Sequence, residues 1–141
     1  MKNVIRVAPA TKNDPIKVEK PAAEALLPGH LLLANASGQF KKHDIANGGG
    51  LVFIADLNMH DGLTDVYAIG DTVQGYAPEP GDVFQVRAAT GQALVKDVTP
   101  LTSAGVGRFD IGTVGTDVII AYAAQTVTTT ANDQLVLVKF Q

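Results

Sequence analysis

The stretch from Asp71 to Asp97, DTVQGYAPEPGDVFQVRAATGQALVKD, combines strand-like segments with turn signals and gives the strongest indication of the fold. Residues 83–88 read VFQVRA, residues 93–98 read ALVKDV, and Thr90-Gly91-Gln92 lies between them. Two β-rich segments joined by a short loop that contains glycine predict a hairpin. Ahead of them, the two prolines and the glycine of residues 78–82 (PEPGD) predict a rigid corner, because proline fixes φ and glycine lets the backbone reverse.

Similar short apolar segments recur along the rest of the chain. Beyond the opening stretch, the segments with strand character are residues 30–34, 39–43, 51–57, 64–69, 108–111, 118–124 and 135–140. Together they make about eight to ten strands at intervals of roughly 8–12 residues, which is typical of a sandwich or barrel. With 141 residues, the chain is predicted to form one all-β domain, a small β-barrel or sandwich.

An extended N-terminal arm is predicted to precede this domain. Pro9, Pro15 and Pro21 recur within residues 1–24, and each disfavours helix and pushes its predecessor toward extended backbone. Two short β-competent segments are flanked by these prolines: Val4–Val7 precedes Pro9, and Ile16–Val18 lies between Pro15 and Pro21. We therefore divide the chain into an arm (residues 1–24) and a domain (residues 25–141). The arm is either mobile or added as a strand to another surface, so its removal should barely change the melting temperature of the domain.

Composition and charge exclude several classes of protein. The chain has 46% hydrophobic and 18% charged residues and no cysteine, which excludes a disordered chain, disulfide bonds and thiolate chemistry. Residues 1–24 carry a net charge of +2 and the remainder carries −5. An acidic body argues against nucleic-acid binding, and no segment has the length of a membrane span or the apolar core of a secretory signal. Low charge favours a surface that is partly buried against partners.

Residues with catalytic or metal-binding potential do not form a recognisable motif. His30, His43 and His60 are not spaced as metal ligands, and a looser carboxylate site at Asp56, Asp61 and Asp65 remains an alternative to simple turn formation. Ser37 and Ser103 lie outside any nucleophile elbow, and the glycine-rich segments at 48–50 and 105–107 lack the rest of a phosphate or dinucleotide loop. We predict no enzyme activity, no cofactor and no metal.

Three punctuated segments carry a resemblance to a known family. They are Gly-Asp-Thr-Val-Gln-Gly at residues 70–75, Pro-Gly-Asp-Val-Phe-Gln-Val-Arg at 80–87 and Leu-Thr-Ser-Ala-Gly-Val-Gly at 101–107. With the proline-rich arm and the absence of cysteine, the chain from about residue 27 to its end resembles the capsid decoration (head-stabilising or cement) proteins of tailed bacteriophages.

The resemblance implies a function in the virion. Members of the decoration-protein family form homotrimers, often with a β-tulip fold. These trimers bind the major capsid protein at local three-fold positions outside the mature head. The arm adds a strand to the coat protein. This chain would be made in the host cytoplasm and would reside on the outer surface of the capsid. The capsid-binding residues would be Val4, Ile5, Arg6, Val7, Ile16, Lys17 and Val18.

The resemblance does not fix the trimer contacts. Our choice falls on the glycine-rich segment 101–115 and the apolar segment 118–124, with the following residues as candidates: Leu101, Val106, Phe109, Ile119 and Tyr122. Three other functions remain open. They are a tail, fibre or other virion β-module, a soluble ligand-binding β-barrel, and a metal-dependent enzyme that uses Asp56, His60, Asp61 and Asp65.

Overall fold

The fold is all-β and contains a closed five-stranded barrel, as the sequence predicts. The computed structural model describes residues 4–9, 16–58 and 62–141. Within these ranges the first seven strands are β1 (Arg6–Ala8), β2 (Lys17–Pro21), β3 (Leu31–Ala34), β4 (Phe40–Lys42), β5 (Phe53–Ala55), β6 (Thr72–Tyr76) and β7 (Val83–Ala88). The remaining strands are β8 (Ala93–Leu94), β9 (Pro100–Ser103), β10 (Phe109–Ile111), β11 (Ala121–Ala123), β12 (Val127–Thr128) and β13 (Gln134–Phe140).

Strands β7, β10, β9, β11 and β13 close into the barrel in that order, because β13 pairs with both β11 and β7. The longest ladder joins β7 to β13 in antiparallel register, from Val83 opposite Lys139 to Ala88 opposite Gln134. Strand β1 adds to the start of β7, and β10 pairs with its end. The strands β8 and β12 form a separate two-stranded ribbon.

The second sheet has the order β2-β6-β5-β3-β4. All its neighbours run antiparallel, and β2 pairs with β6 over five residues, from Lys17 opposite Tyr76 to Pro21 opposite Thr72. An isolated parallel bridge between Ala22 and Phe40 then brings the chain after β2 beside β4. The sheet therefore curls around its own apolar side.

Each sheet encloses a hydrophobic core. The barrel core contains three mutually packed phenylalanines, with ring centroids of Phe84 and Phe140 5.5 Å apart and those of Phe109 and Phe140 6.1 Å apart. The second core is smaller and contains Phe40 and Phe53, whose centroids are 5.1 Å apart. Aromatic pairs at such distances stabilise a core beyond the area they bury.

The hairpin predicted from residues 83–98 is wrong. Strand β7 forms as expected, but β8 is only two residues long and pairs with β12, whereas β7 pairs with β13. Residues 95–98 are exposed and form a turn. The turn signal at residues 90–92 acts over a few residues only. Strand β13 is longer and more buried than β8, and it is the strand that pairs with β7.

The prediction of a separate N-terminal arm is also corrected. Both of its β-competent segments belong to the domain, because β1 is a strand of the barrel sheet and β2 is a strand of the second sheet. The boundary at residue 24 therefore does not separate an independent arm from the folded body.

Candidate functional site

The predicted capsid-binding residues lie in two different environments. Ile5 is only 1% exposed and packs in the barrel core. Its carbonyl oxygen accepts a hydrogen bond from the backbone amide of Gln85 at 2.7 Å. Val18 packs against the second core. The choice of Ile5 as a contact residue is wrong for the folded chain, because its side chain already fills this protein's own interior.

The other members of that set are partly or fully accessible. Val4 and Ile16 are exposed, and Arg6 and Val7 are half-buried. Lys17 is exposed and its ammonium lies 3.0 Å from an Asp56 carboxylate oxygen. A capsid-binding role for these residues stays a prediction.

The residues chosen for a trimer interface are divided in the same way. Leu101 and Phe109 are buried in the barrel core, so that part of the choice is wrong: their side chains cannot contact another subunit. Ile119 and Tyr122 are half-buried, and Val106 is exposed. The sequence indicated a glycine-rich segment and an apolar strand here, but it did not show which residues faced the interior.

Three loops that lie side by side carry exposed apolar side chains and very few charged ones. We call residues 44–51, 104–107 and 112–118 the loop face. Asp44 and Asp117 are its only charged residues. Its exposed large apolar side chains are Ile45, Leu51, Val106, Val114 and Val118. An accumulation of exposed apolar groups of this kind is typical of an interaction surface.

Backbone hydrogen bonds hold the three loops together. The Asn47 amide donates to the Ser103 carbonyl at 2.8 Å, and the Val118 amide donates to the Asn47 carbonyl at 3.0 Å. Glycines permit this close approach, since a Cβ at Gly49 would lie 2.8 Å from Val118 Cγ1. The loop face is therefore a built surface in which backbone hydrogen bonds and close glycine contacts hold neighbouring segments together.

A buried histidine and serine support the loop face from below. His43 Nε2 lies 2.8 Å from the Gly49 carbonyl oxygen and its Nδ1 lies 2.8 Å from Ser103 Oγ, which also accepts from the Gly105 amide. Because Nε2 must donate to a carbonyl, Nδ1 is the acceptor and Ser103 donates. Burial lowers the pKa of His43, which favours this neutral form.

The same pair has the composition of a nucleophile and its base, but its position does not suit catalysis. His43 and Ser103 are both 0% exposed, so a substrate has no access to the serine oxygen. A nucleophile and base act only when the reacting atom can reach both. Sixty positions separate the two residues, and no sequence signal links them.

A polar cluster joins the barrel to the second sheet. Asp133 accepts from Arg108 Nε at 2.8 Å and from His30 Nε2 at 3.1 Å, while Arg87 donates to the carbonyls of Pro28 and Asp133. Burial lowers the pKa of His30 to about 4. Burial alone would raise the pKa of Asp133, but the hydrogen bonds from Arg108 and His30 outweigh it and lower that pKa to about 2. We call these four side chains the clasp.

An open polar cleft of about 460 Å³ lies beside strand β2. Its lining residues are Lys17, Asp56, Leu57, Asn58, Tyr67, Thr72 and Gln74. Tyr67 donates its hydroxyl to the Asp56 carbonyl at 2.8 Å, and burial raises the pKa of that phenol. In the cleft, Asp56 therefore binds both neighbours, with its carboxylate on the Lys17 ammonium and its carbonyl oxygen on the Tyr67 hydroxyl.

The candidate metal ligands do not assemble in the described residues. Asp56 pairs with Lys17, and Asp65 accepts from the Gly62 amide at 3.0 Å. His60 and Asp61 lie outside the described residues. In the parts of the chain that the structure describes, no group of three or more His, Asp or Glu side chains could hold a metal ion.

No protein-family model matches the chain, and no curated protein matches it significantly. Within the described ranges, no helix has the length and apolar character needed to cross a membrane. The class that the geometry defines is an all-β protein with a closed barrel, a curled second sheet and an apolar loop face.

Proposed function

We propose that this chain is a capsid decoration protein of a tailed bacteriophage, a non-enzymatic protein that binds the outside of the mature head at local three-fold positions and stabilises it. The observation that carries the proposal is the loop face. An apolar, almost uncharged surface on a rigid barrel suits permanent burial against protein partners. Its partners would be two further copies of this chain and the major capsid protein.

In this proposal the loop face replaces the buried part of the predicted trimer interface. Val106 was chosen from the sequence and is exposed, and Val114 and Val118 lie in or next to the same segments. The accessible N-terminal residue Val4 is left for contact with the coat protein.

The mechanism would be mechanical rather than chemical. A trimer that bridges several coat subunits adds contact area where they meet, and multivalent attachment turns weak single contacts into strong binding. A protein that binds only the expanded lattice stabilises that lattice by mass action. No reacting group is needed, which suits a molecule whose buried serine and histidine support its loops.

The filled barrel argues against the rival function of a soluble ligand-binding β-barrel. Phe84, Phe109 and Phe140 occupy the barrel interior, and Phe140 packs against both of the others. Ligand-binding barrels need an internal cavity with a few convergent polar groups. The cleft beside β2 lies on the second sheet instead, and its ionic groups are paired.

Co-sedimentation with expanded heads of the matching phage tests the proposal, with immature shells as the control. We expect saturable binding near one trimer per local three-fold position. Val114→Lys, at a residue that is 67% exposed in the loop face, should reduce trimer formation and binding at least tenfold, because a charge is then buried in the interface. Val98→Lys, at a 65% exposed residue outside the loop face, should bind like the parent protein. If the folded parent protein does not bind expanded heads, the proposal fails, and a tail or fibre component becomes the function to test.

A further inference from the structure

Strand β2 has one backbone edge in use and one open. The Ala22 amide donates to Asp71 and the Ile16 carbonyl accepts from Ala77, so the even-numbered residues of this segment face β6. In an antiparallel ladder the alternate residues face the other way. The N–H and C=O groups of Lys17 and Glu19 therefore point outward, where no described strand pairs with them. Past Pro21 the edge is covered, because the Ala23 amide donates to the Phe40 carbonyl.

The side chains on this edge fit a second copy of the same strand. If two β2 strands pair antiparallel about a two-fold axis at Val18, Lys17 of each copy lies opposite Glu19 of the other. Opposite charges across a strand pair stabilise it, and like charges destabilise it. Registers centred one pair away in either direction place Lys17 opposite Lys17 or Glu19 opposite Glu19. Only the register centred on Val18 therefore combines outward-facing backbone groups with charge complementarity.

The other face of the strand supports the same register. Val18 would meet Val18 at the axis, beside the second core against which it already packs. Ile16, which is 67% exposed, would lie opposite the aliphatic stem of Lys20. On the charged face Lys17 keeps its contact with Asp56 and still has protons to donate, because an ammonium group has three.

We infer that β2 is a self-association edge, through which two copies of this chain join their second sheets into one continuous antiparallel sheet centred on Val18. Lys17, Glu19 and Lys20 make the edge unattractive to an arbitrary apolar strand, as charged edge residues commonly do. Because the charges of Lys17 and Glu19 differ in sign, a second copy of β2 in the proposed register can still pair with this edge. This inference does not depend on the capsid function, and it adds a two-fold contact that is separate from the loop face.

A single introduced cysteine tests the register, since the chain has no cysteine of its own. In the proposed pair, Val18 lies opposite Val18 at a Cα distance of about 4.5 Å, which suits a disulfide. Val18→Cys should form a covalent dimer rapidly with oxidised glutathione at micromolar protein. Lys20→Cys is the matched control on the same strand and face. Its two copies would be about 13 Å apart and should stay reduced.

Each result decides the inference. Cross-linking of Val18→Cys alone supports it. Equal cross-linking of both variants, cross-linking of Lys20→Cys alone, or none in a folded protein at millimolar concentration would overturn it. Protection of the introduced thiol of Val18→Cys only when coat protein is present would assign the edge to a coat strand instead, and would also overturn it.

Charge reversal gives an independent check on the partner. Glu19→Lys and Lys17→Glu each place like charges opposite one another, so each alone should associate about tenfold more weakly by sedimentation equilibrium. Mixed together they are complementary again and should recover association. In a mixture of Glu19→Lys with Lys96→Glu, whose exposed turn lies outside β2, only Lys96→Glu should associate, and no more strongly than it does alone. Loss without recovery in the first mixture would contradict a two-fold β2 contact.

Discussion

The barrel and the second sheet solve the problem of strand edges in opposite ways. In the barrel, β13 pairs with both β7 and β11, so the five-stranded ring has no free edge, and among the described strands of this sheet only the short β1, added to β7, lies outside the ring. In the second sheet, β2 ends the order, and no described strand pairs with the outward groups of Lys17 and Glu19. Closure thus leaves the barrel as a rigid support for the loop face, and incomplete closure leaves the second sheet with an edge for pairing.

The two regions also differ in how their interiors are stabilised. The barrel core unites residues from β1 to β13 around three packed phenylalanines, whereas the second core is a smaller cluster around Phe40 and Phe53. The clasp ties the two together through His30 on one side and Asp133 on the other. We therefore expect the barrel to contribute most of the stability and the second sheet to depend on its attachment.

The largest expected effect comes from Phe84→Ala in the barrel. Phe84 is fully buried against Phe140 and Tyr76, and truncating such a side chain leaves a cavity that costs about 3–5 kcal/mol of unfolding free energy. Phe40→Ala, in the smaller second core, should cost about 3 kcal/mol. Urea denaturation measures both. A larger loss for Phe40→Ala would reverse the ranking of the two regions.

The next effect concerns the N-terminal residues. Ile5→Ala should lower the free energy of unfolding by about 2–4 kcal/mol, because Ile5 is buried in the barrel core. The neighbouring Val4→Ala, at an exposed position, should change it by less than about 0.5 kcal/mol. Thermal and urea unfolding compare them. Equal, small effects would restore the expectation that residues 1–24 are separable from the domain.

The last effect depends on pH, is of the same order as that of Ile5→Ala, and tests the clasp. Unfolded His30 binds a proton below its ordinary pKa of 6.5, whereas folded His30 stays neutral until pH falls to about 4. The unfolded state therefore gains protons first, and the folded state loses about 3 kcal/mol between pH 6.5 and 4. His43, whose pKa is also lowered, adds to the loss with the same sign.

His30→Gln keeps a donor and an acceptor in place but cannot titrate. In the variant, the unfolding free energy should depend less steeply on pH in this window, by the equivalent of up to one proton. Urea titrations at several pH values measure this slope. A further loss between pH 4 and 2, as Asp133 is protonated, should remain. An unchanged slope would show that burial of His30 does not control the acid sensitivity of the joint.

Local sequence patterns predicted the strands better than they predicted their partners. The segments at residues 30–34 and 39–43 form strands β3 and β4, which pair with Ala34 opposite Phe40, and the last strand ends at Phe140, as the apolar segment 135–140 indicated. Thr90-Gly91-Gln92 forms a turn but does not join a hairpin. A turn signal acts over a few residues, whereas the partner of β7 lies across a long sequence separation, where total burial decides.

The candidate sites divide along the same line. The low charge of the chain indicated a surface buried against partners, and the segment around Val106 was chosen for it. The sequence did not reveal that residues 44–51 and 112–118 pack beside that segment, because backbone hydrogen bonds from Asn47 and Val118 bring them together. Nor did it separate buried Phe109 from exposed Val114.

The sequence by itself determined that this protein is all-β, that prolines keep its first residues extended, and that no cysteine chemistry is available to it. These properties follow from residue type and short-range backbone preferences. The tertiary structure alone decided that β1 and β2 belong to the domain and that a serine and a histidine serve as a buried support. It also decided that Lys17 and Glu19 lie on an open edge. These outcomes depend on which strands lie side by side, and the pairing is set by burial summed over the whole chain.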